Sequence, residues 1–300
     1  MFLKRFTLSK TPTQPPIETS TNNNPSLSKK VDYYTEIQHN FLQLFQQKYL
    51  TKEHSIKPLL VAWGYYADST DLNHEFIVDY AIAIERIYQA SKSLDTNPEA
   101  VSIINKNIPI LKEKNLIDIG DLEYITNQIL IGNAKFNFDI IEFVKSTAER
   151  LLSNCFFLGY YLSNPEGKPS DTSIEICRIG NLSECCFHTL DDLSLFYSPN
   201  ESKINQGNTV IRYLYGASLR KERKLLDSNF DIEYVNNLIY KYKITNLVLE
   251  DVDMKISFVK KSIANLQEVN PDYYAGFSRF LNETFKVHFQ KCGLTYENMF

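Results

Sequence analysis

The chain has 300 residues and a formal net charge of −4, with an isoelectric point near 5.8; this excludes a broad basic surface for nucleic acid. Hydrophobic residues make up 43% and glycines number 10, a balance that suits a helical globule with a sizeable core rather than a turn-rich β protein. The five cysteines, Cys155, Cys177, Cys185, Cys186 and Cys292, lack metal-ligand spacing, and their odd number and adjacent pair predict reduced thiols and a cytoplasmic location.

Along the chain, Met-Phe-Leu-Lys-Arg-Phe is too short an apolar start for a signal peptide. No later run approaches the ~18 apolar residues of a membrane span. Residues 1–30 are rich in Ser, Thr, Asn and Pro and predict a flexible tail. Residues 31–300 predict one all-α domain. Ile37, Phe41, Leu44 and Phe45 repeat at helical spacing. Residues 58–67 and 76–94 predict buried helices, the second with a broad stripe from Ile77 to Tyr88. Gly120-Asp121 opens a helix reaching about Ile131, with the Asp favoured by the helix dipole. Phe138 to Leu162 predicts nearly continuous helix, stopped by Asn-Pro-Glu-Gly at 164–167. Residues 174–196 predict a further helix, followed by a polar loop from Ser198 to Asn208. Val252, Ile256, Val259, Ile263 and Leu266 mark a late amphipathic helix.

The most informative stretch is Phe187-His188-Thr-Leu-Asp191-Asp192, two adjacent carboxylates at the end of an apolar helical run. Such a pair is costly to bury without a cation. It resembles the second aspartate-rich motif of the trans-isoprenyl diphosphate synthase (polyprenyl synthetase) family, with His188 in the place of the family's Gln and Leu195 in the place of its third acid. Other landmarks of that family follow in order over about residues 35–270. Glu85-Arg-Ile-Tyr-Gln-Ala90-Ser91 resembles the helix that leads into the first aspartate-rich motif. The motif here is Asp95-Thr-Asn-Pro-Glu99, with Thr96 replacing the middle acid. Two readings stand open. Asp95 and Glu99 share a helix face at i and i+4 and clamp a metal, or Asn97 caps a new helix with Pro98 at its first position.

Lys52-Glu-His-Ser-Ile-Lys57-Pro58 resembles the basic run that grips isopentenyl diphosphate, with His54 for the family's Lys and Lys57 for its Arg. Lysine cannot make arginine's two-pronged contact, and the family's downstream Arg-Arg-Gly has no counterpart. Lys145, in Phe-Val-Lys145-Ser-Thr-Ala, resembles a lysine that contacts the allylic diphosphate. Lys203 resembles a phosphate-binding lysine of a mobile loop; both are also ordinary surface lysines by pattern. His188 is a candidate partner of Asp192 or of a diphosphate oxygen, or a satisfied core histidine.

The resemblance implies an isoprenoid-synthase helical bundle with a central cavity, Mg²⁺ held by Asp95, Glu99, Asp191 and Asp192, and a homodimer or a heterodimer with a homologous subunit. It implies substrate contacts from Lys57, Ala90, Ser91, Lys145, His188 and Lys203. Ala90 and Ser91 are small where the family sets prenyl length by bulk, which implies an allylic chain of C15 or longer. Three functions fit: a divergent prenyltransferase or terpene synthase using an acceptor other than isopentenyl diphosphate, a non-catalytic or regulatory subunit, and an ordinary polyprenyl diphosphate synthase.

Overall fold

A computed structural model describes residues 31–50, 55–69, 74–97, 99–112, 120–132, 137–164, 170–197, 204, 208–228 and 230–296. The expected tail 1–30, most of the polar loop 198–208, His54, Pro98 and Lys203 lie outside the described residues. The described residues are helical, with no strand among them.

The helices are α1 (Tyr33–Thr35), running through a π-helical stretch (Glu36–Phe41) into α2 (Leu42–Tyr49), α3 (Lys57–Tyr66), α4 (His74–Lys92), α5 (Ala100–Lys112), α6 (Gly120–Leu130) and α7 (Phe138–Leu151). They continue as α8 (Cys155–Ser163), α9 (Asp171–Ser194), α10 (Thr209–Ala217), α11 (Arg220–Ser228), α12 (Ile232–Lys241), α13 (Ile244–Leu266) and α14 (Pro271–Lys291). They cluster into two compact units, where the sequence predicts one body over 31–300: Asp32–Asn181 with Ser262–Phe277, and Leu182–Lys261 with Ser278–Phe300.

In the Asp32–Asn181 unit, α3 is apolar on every side, and Leu59 to Trp63 are all buried. Pro58 sits in its first turn, where no N–H partner is lost. The α3 and α8 backbones touch: a Cβ at Gly64 would collide with the Phe156 carbonyl, and one at Gly159 with the Val61 carbonyl. Trp63 packs against Tyr273 and Phe277, at ring-centroid distances of 5.6 and 5.4 Å. Tyr273 donates its hydroxyl hydrogen to the Trp63 carbonyl.

The continuous helix expected over Phe138–Leu162 is broken between Leu151 and Cys155. Asn154 makes the break. Its side-chain oxygen accepts from the Phe157 N–H and caps α8, while its amide donates to the Cys177 carbonyl at 2.9 Å.

In the Leu182–Lys261 unit, α13 buries Val248 together with Val252, Ile256 and Val259 of the late stripe that the sequence predicts. Phe280, Leu281, Phe285 and Phe289 of α14 join that unit's core. Glu222 is buried yet satisfied: it accepts from the Leu219 N–H, the Lys241 ammonium and the Tyr242 hydroxyl.

Candidate active site

The first cluster lies where α4 ends. Ser93 still donates its N–H to the Gln89 and Ala90 carbonyls, and Thr96 and Asn97 then fold back onto the Ser93 carbonyl. Asp95 projects from this turn, half exposed, and forms an ion pair with Lys145 of α7. Glu142 stands 3.6 Å from the same ammonium. Asn97 accepts from the Glu99 N–H at 3.0 Å through its side chain, and α5 begins at Ala100. Asp95 and Glu99 therefore flank a turn instead of sharing a helix face, and Glu99 is exposed. The capping reading describes this segment, because an asparagine side chain satisfies an N–H that a continued helix would bond differently.

Lys57 is 3% exposed and donates to the Leu152 carbonyl at 2.7 Å. Its ammonium also lies 5.0 Å from the centre of the Tyr88 ring, with Lys92 4.4 Å from the same ring. A lysine held this way pins α3 to the end of α7. Beside it Glu85, fully buried, accepts from the Ser55 N–H and hydroxyl and from Gln89. Ser91 is buried and donates its hydroxyl to the Tyr88 carbonyl at 2.8 Å. Ala90 opens onto a cleft of about 500 Å³ between α4 and α5 whose walls carry Arg86 and Lys106, not onto a purely apolar channel.

The second cluster closes α9. Asp191 accepts from Lys291 at 2.9 Å, and its same oxygen meets Nδ1 of His288 at 2.9 Å. That nitrogen must carry hydrogen to bond a carboxylate. Burial pushes the Asp191 pKa up, but hydrogen bonds and charge from His288 and Lys291 outweigh it and leave the carboxyl at about 2. The His288 ring, 7% exposed, stacks on Phe187 at 5.0 Å. Asp192 serves α10 instead. Its carboxylate accepts from the Thr209 N–H at 2.6 Å, where the helix dipole favours negative charge. Its carbonyl accepts from the Asn208 amide, and Asn208 caps the helix. His188 is exposed on α9, one turn before Asp192.

Among the described residues, no three His, Cys, Asp or Glu side chains come together as metal ligands. Asp95 is neutralised by Lys145, Asp191 by Lys291 and His288, and Asp192 is taken by a helix N-terminus. Held this way, the expected Mg²⁺ ligands are not free as a set: Asp95 and Asp191 carry cationic partners, Asp192 carries an N–H, and Glu99 is exposed beyond the turn. His288 and Lys291 escape sequence reasoning. They share a face of α14 at i and i+3, but they meet an acid about a hundred residues away, and no local signal names that acid.

No family model and no curated sequence matches this chain. Among solved structures, T. brucei FPPS, in complex with 2-(5-chlorobenzo[b]thiophen-3-yl)acetic acid, is similar at 13% sequence identity and a TM-score of 0.49, covering 82% of this chain and 90% of that chain. A likeness of that degree assigns neither family nor residue roles, and no conclusion about chemistry rests on it.

Proposed function

We propose that this protein binds an allylic isoprenyl diphosphate of C15 or longer and transfers or cyclises the prenyl group without isopentenyl diphosphate as acceptor. One contrast supports this reading. Lys145, which the motif resemblance assigns to the allylic diphosphate, keeps 21% of its side chain exposed and reaches the half-exposed Asp95 in the turn after α4. Lys57, which the resemblance assigns to isopentenyl diphosphate, is buried on a backbone carbonyl and closed to any ligand.

In this reading Lys145 exchanges Asp95 for a diphosphate oxygen and supplies positive charge to the leaving group. Asp95 holds the lysine in place when the site is empty. No step is assigned to Mg²⁺.

A second reading has its own observation. Asp191 and Asp192 are both engaged by the chain itself, as a non-catalytic subunit of a prenyl diphosphate synthase would allow.

The test is diphosphate release from C15 and C20 allylic diphosphates, with and without isopentenyl diphosphate. Release that needs no isopentenyl diphosphate and falls at least tenfold in Lys145→Met supports transfer or cyclisation. Release that appears only with isopentenyl diphosphate contradicts it. No release from any substrate, with a protein extract added as acceptor source, leaves the subunit reading.

A further inference from the structure

The cleft between α4 and α5 carries chemistry that the proposed activity does not use. We infer that it is a binding site for a small anionic amphiphile, with a phosphate or carboxylate head held by Arg86 and Lys106 and an apolar body on Ala90, Ile103 and Ile110.

Its volume of about 500 Å³ is that of a small-molecule pocket. The lining comes from one face of each helix: Arg86 and Ala90 on α4, with Ser93 in the turn after it, and Ile103, Lys106 and Ile110 on α5. Among the described residues no acidic side chain lines it. Arg86 and Lys106 are exposed, and no ion pair engages either among the described residues. Glu85, the acid next to Arg86, is fully buried and bonded to Ser55 and Gln89.

The guanidinium of Arg86 lies 5.9 Å from the centre of the Tyr49 ring, also part of the lining. At that distance the ring draws on the positive charge of the guanidinium, whose N–H fork matches a two-oxygen anion. Lys106 adds a second positive charge from the facing helix. Buried Asn107 uses its amide nitrogen on the Ile103 carbonyl, so its oxygen remains an acceptor for a donor on the ligand. Glu85 lies behind the lining on Gln89, and the two exposed cations in front of it suit an anion in the cleft.

The experiment is titration calorimetry of the full chain with decyl phosphate below its micelle-forming concentration. Decanoate, inorganic phosphate and decanol are the comparators. The inference predicts one saturable site per chain, weakened about tenfold or more by Arg86→Gln and by Lys106→Glu. It also predicts weaker binding at high salt, and decanol binding far below decyl phosphate. Whichever of decyl phosphate and decanoate binds tighter identifies the head group. Arg86→Gln should leave diphosphate release from an allylic diphosphate unchanged, so this site stands or falls apart from the allylic diphosphate reading.

Binding that does not saturate, that decanol matches, or that both variants retain would overturn the inference. So would sedimentation showing a dimer that both variants dissociate, because the cleft would then hold a second copy.

Discussion

At the scale of single residues, the ionisable side chains with clear resemblance to a diphosphate site divide into two kinds. Lys145 is held only by acids that a ligand can displace; Lys57 is built into the core. Lys57→Met should therefore cost about 2 kcal/mol of stability in urea unfolding, because it leaves the buried Leu152 carbonyl with only the weak Cys155 thiol as donor. It should leave prenyl diphosphate binding intact. Asp191 makes a separate prediction. Its carboxyl is held near 2 in the folded protein, against about 4 when unfolded. A depressed carboxylate stabilises the fold above the unfolded value, and that stability is lost as pH falls through the folded one. The loss falls between about pH 4 and pH 2. The side chain is half exposed, so screening limits the effect to about 1 kcal/mol. Acid titration of wild type against Asp191→Asn should show the gap between them closing across that window.

At the scale of elements, helix existence was legible and helix boundaries were less so. The stripes of α4 and α13 and the Gly-Asp start of α6 are local patterns of 3.6 periodicity, and the structure forms helices there. The break before Cys155 was not legible. The run from Phe138 to Leu162 holds no Pro, and its stop depends on Asn154 reaching the Cys177 backbone in a later helix. Gly180 lies against that same asparagine. The turn at Asn97 shows the reverse case, a local capping signature that prevails over the i, i+4 spacing of Asp95 and Glu99. Contact between α3 and α8 depends on two glycines, each facing a backbone carbonyl that cannot yield. Gly64→Ala or Gly159→Ala should separate the helices and cost about 3 kcal/mol or more. Thermal unfolding followed by circular dichroism would read this as a lower midpoint, and an unchanged midpoint would refute the close packing.

At the scale of the molecule, the composition correctly pointed to an all-helical protein, and no helix among the described residues is long and apolar enough to cross a membrane. The acids of the candidate site were visible as sequence patterns. Their partners were not, because Asp95 meets a lysine fifty residues on and Asp191 meets α14 a hundred residues on. Those pairings give the expected ligands partners within the chain, and only three-dimensional contacts carry that information.

The decisive measurement is calorimetric binding of farnesyl diphosphate and of isopentenyl diphosphate to the same protein, repeated with Lys145→Met and Lys57→Met. Farnesyl diphosphate should bind wild type and Lys57→Met alike and weaken at least tenfold with Lys145→Met, while isopentenyl diphosphate should not bind. Isopentenyl diphosphate bound tightly and lost in Lys57→Met would contradict the proposed division between these two lysines.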